Sequence, residues 1–277
     1  MLCVKRMPPY QNLYIYEISG ALSNSRRFFK EDFIGCWNEG GTSFLFFSTP
    51  HDGEVETLVR RKGLALTSRN TLDYKAWQAG EELKPFRVGN LVISPPWEET
   101  SIYPGEILMH LDPCVVFGTG YHATTHSCLQ ALWKIYQEEK PRTVVDLGTG
   151  TGILALAAAK WGAEKVLAID SNELAAETAL RNVNLNDESE RIEVKQGKAE
   201  DFADGGADLV CANLHFEVIE SLLAKRIFYG NRWFILSGFF VKDAGEIEKK
   251  WKTRSVQVVN RLQTRNWMTL VGLRQSD

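Results

Sequence analysis

Residues 144–152 read VVDLGTGTG, and no other stretch of the chain narrows its fold as far. Two β-branched residues and a leucine suit a buried parallel strand, and three glycines spaced two apart permit a tight turn. Residues 153–161, rich in Ala and Leu, then demand a helix. A strand, a glycine turn and a helix in that order make a ligand-binding unit. The glycines let the backbone come close to a ligand, and the helix start offers unpaired N–H groups at the positive end of its dipole.

The glycine spacing alone leaves two ligands open. Gly150, Gly152 and Ala155 satisfy the dinucleotide spacing G-x-G-x-x-G/A, and Asp170 lies about 20 residues on, where the ribose of either cofactor wants a carboxylate. Asp146 separates the readings. With Gly148, Gly150 and Gly152 it gives D-x-G-x-G-x-G, which resembles the first motif of the Rossmann-like class I methyltransferases. A carboxylate is awkward beside a pyrophosphate, yet it can orient the loop and attract a cationic cofactor. The expected cofactor is therefore S-adenosylmethionine, with Asp146, Gly148, Gly150 and Asp170 among its contacts. A nicotinamide-dependent oxidoreductase is the rival from another class, and a binding module with a dead site is a third option.

The chain has 277 residues, 44% of them hydrophobic, which is room for two globular domains. A net charge of −3 argues against direct nucleic-acid binding. The cysteines at 3, 36, 114, 128 and 211 are odd in number and never in C-x-x-C spacing, so they read as free thiols in a reducing compartment. No apolar run approaches a membrane span, and no apolar segment follows the basic residues near the start. A cytoplasmic protein without a membrane partner is expected.

Residues 1–70 read as a small α+β domain of βαββαβ, ferredoxin-like type. Strands are expected at 13–18, 33–38, 43–48 and 64–67, with helices at 23–33 and 53–62. Residues 71–110 form a Pro- and Trp-rich linker holding a helix at 72–79 and a strand pair at 86–94. Residues 111–277 alternate strand and helix in α/β fashion and close on strands 256–261 and 267–273 facing one another as an antiparallel pair. A parallel sheet finished by a reversed strand is the seven-stranded methyltransferase arrangement, and a plain dinucleotide fold does not usually end so.

The loop 112–125, DPCVVFGTGYHATT, precedes a helix whose buried face is Cys128, Leu129, Leu132, Trp133 and Tyr136. Thr124 and Thr125 suit N-caps of that helix, and a capping hydroxyl can also face a ligand. His122 and His126 stand four apart, but nothing completes a metal set around them. They read as groups that fix the loop, and no metal is expected.

Taken together, PPWEE, LDPCVVFGTGYHATTHSCLQAL, VVDLGTGTGILALAAAKWGA, VLAIDSNELAAETALRNVNLN and CANLHFEVI resemble, in order and spacing, the PrmA family of bacterial ribosomal-protein methyltransferases. The resemblance covers nearly the whole chain and is weakest in the first domain. It implies a class I methyltransferase domain behind a small substrate-recognition domain, N-methylating a lysine or N-terminal amine of a ribosomal protein; a methyltransferase acting on another protein or on a small molecule is the alternative. It also implies cofactor contacts at Thr125, Gly148, Asp170 and Asn213, with Phe117 and Thr124 in the same lid. Asn213 would align the acceptor amine and His215 is a candidate base. Rival roles stand beside these: a helix N-terminal charge for Asp170 and a plain turn residue for Asn213. The chain departs from the family's FGTGTHPTT lid at Tyr121 and Ala123, from its Cys at Thr149, and from Ile-Leu at Leu214 and His215.

Overall fold

In a computed structural model the described residues are 9–29, 32–77, 83–202 and 206–275. They fall into two compact units. The first takes in the chain as far as Lys84, together with Pro95–Glu99 and Asn172–Leu174. Its elements are β1 (Asn12–Ser19), a 3-10 turn (Ser25–Arg27), β2 (Phe33–Glu39), β3 (Thr42–Phe47), α1 (Asp52–Lys62), β4 (Leu66–Asp73) and the short α2 (Tyr74–Trp77). The four strands form one antiparallel sheet in the order β2-β3-β1-β4, the ferredoxin-like order. Tyr16, Ile18, Leu45 and Phe47 on one sheet face pack with Val55, Leu58 and Val59 of α1. Acidic residues open α1, basic residues close it, and Gly63 ends it in the left-handed region, as dipole and cap rules require.

Three expectations for this unit need correcting. The helix expected at 23–33 is, among the described residues, a single 3-10 turn; Lys30 and Glu31 lie outside them. Asn24 takes a left-handed conformation and Phe29 and Phe33 sink into the core, and this packing overrides the weak local helix preference. The strand expected at 64–67 starts two residues later and runs to Asp73, along the full length of β1. The helix expected at 72–79 accordingly begins only at Tyr74, as α2, and its expected end falls in residues 78–82, outside those described.

The second unit contains β5 (Phe86–Val88) and β6 (Leu91–Ser94) as a hairpin, with β7 (Ile107–His110) added parallel to β6. Then follow α3 (Ala123–Glu138), β8 (Thr143–Leu147), α4 (Ile153–Trp161), β9 (Lys165–Asp170), α5 (Glu173–Leu185), β10 (Ile192–Gln196), β11 (Leu209–Asn213), α6 (Phe216–Ala224), β12 (Trp233–Phe240), α7 (Ala244–Lys252), β13 (Val256–Thr264) and β14 (Trp267–Arg274). The main sheet has the order β10-β9-β8-β11-β12-β14-β13. All neighbours run parallel except β14, which is antiparallel to both β12 and β13. The reversed last strand thus slots inside the sheet, and the seven-stranded methyltransferase fold is the result.

Apolar layers cover both faces. Residues of α3 and α4 pack with Val144, Val166, Leu209 and Ile235 on one face; α6 and α7 cover Val210, Phe234, Leu236 and Leu270 on the other. Strand order reverses between β8 and β11, so their carboxyl ends open a crevice. Ligands of open α/β sheets bind at such a switch point.

Candidate active site

The glycine turn leaves β8 directly at that crevice. Gly148, Gly150 and Gly152 all have positive φ, which a side chain rarely tolerates. Gly148 N and Thr149 N both donate to Ile169 O, at 2.8 Å each, so the turn is tied to the end of β9. A Cβ on Gly150 would stand 2.6 Å from the Phe117 carbonyl, and one on Gly148 would run into the Leu214 side chain. The backbone here is bare by necessity.

Asp146 sits beneath this turn, 1% exposed. Its Oδ2 accepts from Thr149 Oγ1 at 2.6 Å and from Ala155 N at 3.2 Å, which binds strand, turn and helix together. Its Oδ1 is buried without a hydrogen-bond partner. Burial raises its pKa to about 6, with the Asp170 charge pushing the same way against the two hydrogen bonds. At neutral pH the group is an incompletely solvated anion.

Asp170 closes β9, and its Oδ2 accepts from Gly150 N at 2.9 Å. The carboxylate therefore shapes the turn. Asn213 closes β11. Its Nδ2 donates to Thr125 Oγ1 at 3.3 Å, while Oδ1 is buried with no hydrogen-bond partner. A desolvated amide oxygen without a donor costs free energy on the order of 1–3 kcal/mol and is a natural acceptor for a ligand N–H. His215 begins α6 as an exposed N-cap residue with no side-chain cap bond.

The expected capping by Thr124 and Thr125 is corrected. Helix α3 starts at Ala123 and its N-cap is His122, so both threonines lie inside the first turn. Thr124 Oγ1 is 2.8 Å from His122 Nδ1, and Thr125 is left to hold Asn213. Phe117 is 52% exposed, its ring against His122. His122 touches Trp267, which stacks on Phe240 at 4.6 Å; His126 instead approaches Phe86. Trp267, Phe240 and Gly238 escape sequence reading because only strand pairing brings Gly238 against Leu214 and sets Trp267 between His122 and Phe240.

The family model described as ribosomal protein L11 methyltransferase (PrmA) matches residues 53–275, well over half of the chain. The chain belongs to the PrmA family. A ribosomal protein L11 methyltransferase of Desulfitobacterium hafniense is 37% identical over 218 residues, 78% of this chain and 68% of that relative. One of Halalkalibacterium halodurans is 34% identical over 200 residues, 71% of this chain and 63% of its own length. Among solved structures, the ribosomal protein L11 methylase of Lactobacillus delbrueckii subsp. bulgaricus superposes with a TM-score of 0.57 at 29% identity, over 67% of this chain and 94% of that one. The PrmA match thus spans about two thirds of these curated relatives, and it sets aside the oxidoreductase alternative. Among the described residues no helix is long and apolar enough to cross a membrane.

Proposed function

We propose that this chain transfers a methyl group from S-adenosylmethionine to an amine nitrogen of a protein, with the ribosomal protein named in its relatives, L11, as the first substrate to try. The observation that carries the reading is the buried, unpartnered Oδ1 of Asn213, held by Thr125 beside the bare glycine turn. The residues fit the cofactor. The turn at Gly148 and Gly150 accepts a close ligand, Asp170 offers a carboxylate to ribose hydroxyls, and Asp146 supplies negative charge below. Phe117, Thr124 and Thr125 belong to the segment that borders the same turn.

When bound, S-adenosylmethionine supplies an electrophilic methyl on a sulfonium. The residues of the chain have to align a nucleophile with it. A lysine amine, with an ordinary pKa near 10.4, must first lose a proton. Burial against Leu214 and the nearby positive charge favour the neutral amine. Asn213 Oδ1 then accepts one amine N–H and points the lone pair at the methyl, which is a gain in orientation. His215, exposed two residues on, is the one imidazole in this turn that can take the proton. An unchanged rate-versus-pH profile in His215→Ala removes it from that role.

Radiolabelled methyl transfer to purified L11, with the modified nitrogen mapped by mass spectrometry, tests the proposal. No label in L11 but label in another protein moves the substrate; no binding of S-adenosylmethionine in calorimetry overturns the reading. Asp170→Ala is expected to weaken that binding about 10- to 100-fold, the worth of charge-assisted hydrogen bonds to the ribose. Binding within threefold of wild type returns Asp170 to a purely structural role in the turn.

A further inference from the structure

The cap of α3 is chemically odd. Helix starts prefer Ser, Thr, Asp or Asn, and this one has two threonines at hand, yet it uses His122. The backbone of His122 is extended, and its Nδ1 accepts from Thr124 N at 3.4 Å while also meeting Thr124 Oγ1 at 2.8 Å. An N–H can donate to Nδ1 only when that nitrogen carries no proton, so the cap needs a neutral imidazole with its hydrogen on Nε2.

The ring is also clamped. Phe117 lies edge-on at 5.2 Å from one side and Trp267 at 5.3 Å from β14, with Trp267 stacked on Phe240 at the end of β12. One imidazole therefore joins the loop before α3, the first turn of α3 and the closing strand pair. The next residue after its capped partner is Thr125, 1% exposed, whose hydroxyl holds the Asn213 amide.

We infer that His122 is a positioning residue for the methyl transfer: as a neutral cap it seats the first turn of α3 so that Thr125 presents Asn213 Oδ1 to the acceptor amine. This rests on the function proposed above. Protonation of Nδ1 would aim an N–H at the Thr124 N–H, at the positive end of the α3 dipole, and release the cap. The groups facing the ring are Thr124 from α3, Phe117 from the loop and Trp267 from β14, and none of them carries a charge. Burial is accordingly the cause that lowers the imidazole pKa. The cap is kept at neutral pH and lost as pH falls below the ordinary imidazole range.

Two variants test the inference. Asn caps well and does not titrate; Phe keeps the ring and removes the cap. His122→Asn is expected to match wild-type kcat within about threefold at pH 8, where both are capped. Its rate relative to wild type should climb as pH falls below the ordinary imidazole range and level off about tenfold higher, the whole loss of the cap. The acceptor amine titrates identically in both proteins and cancels in that ratio. His122→Phe should lose about tenfold in kcat at pH 8, and its rate should meet that of wild type as the wild-type cap is lost at lower pH.

A pH-independent ratio, or wild-type kcat in His122→Phe, overturns the inference. Amide hydrogen exchange of the ligand-free protein gives a readout apart from activity. Protection at Thr124 should drop in wild type over the same fall in pH that lowers its rate, and persist in His122→Asn. Equal protection in the two overturns the cap as well. Wild-type protein that binds no cofactor and transfers no methyl overturns the proposed function, and hydrogen exchange then decides by itself whether the neutral cap exists.

Discussion

Gly238→Ala is expected to lower the stability of the second unit by about 3 kcal/mol or more, the sum of backbone strain and overpacking. Gly238 has φ +91 within β12, where the pairing to β14 shifts register between Leu236 and Phe239. A Cβ there would collide with the Leu214 carbonyl oxygen and stand 2.8 Å from Leu214 N and 2.9 Å from its carbonyl carbon. All three are backbone atoms of the turn after Asn213, which is itself tied down by Leu214 N donating to Ser237 O at 3.0 Å. Neither side can yield without moving Asn213. The control is Gly245→Ala in the first turn of α7, where a Cβ meets nothing within 4 Å and helix preference favours Ala by roughly 0.5–1 kcal/mol. Urea unfolding of both variants checks the pair. A Gly238→Ala midpoint no lower than that of wild type would remove the steric argument for the bulge.

That glycine also marks the limit of sequence reading. FILSGFF announces a strand with an interruption, but the atoms that require the interruption belong to Leu214, in another strand-to-helix turn. The helix at residues 153–161 was legible to the residue because its Ala and Leu are buried nearly all round and nothing competes with local preference. Residues 23–33 were not, because packing of Phe29 and Phe33 decides them. Strand β7 was missed since ILMH shows no alternation and pairs only through its register with β6. At the site, Asp146, Asp170 and the three glycines stand at fixed spacings that their chemistry imposes. The link from His122 through Trp267 to Phe240 crosses well over a hundred residues of chain, and no spacing rule reports it.

Asp146→Asn is expected to become more stable relative to wild type by about 3 kcal/mol as pH rises from 4 to 8. The fold raises the Asp146 pKa from 3.8 to about 6, so it favours the protonated form. The stabilisation this gives is fully present below 3.8, declines as pH rises through 6, and is absent above. About two units at 1.36 kcal/mol each give the magnitude. Asn does not titrate and escapes the change, although its amide places a donor where Oδ1 now finds no partner, a constant offset of about 1–3 kcal/mol. The neighbouring thiols do not blur the window, because burial pushes Cys128 to about 12 and Cys211 well above its usual value. Denaturant unfolding of both proteins at pH 4.5, 6 and 8 measures the slope, and a pH-independent difference would mean that Asp146 is not held as a strained anion. A carboxylate kept at such a cost beneath a ligand-binding turn implies a compensating gain in the ligated state. On the proposed function that gain is attraction for a sulfonium, so Asp146→Asn should weaken S-adenosylmethionine binding more than binding of uncharged-sulfur S-adenosylhomocysteine. Equal loss for both ligands would assign the carboxylate to loop geometry through Thr149 and Ala155 alone.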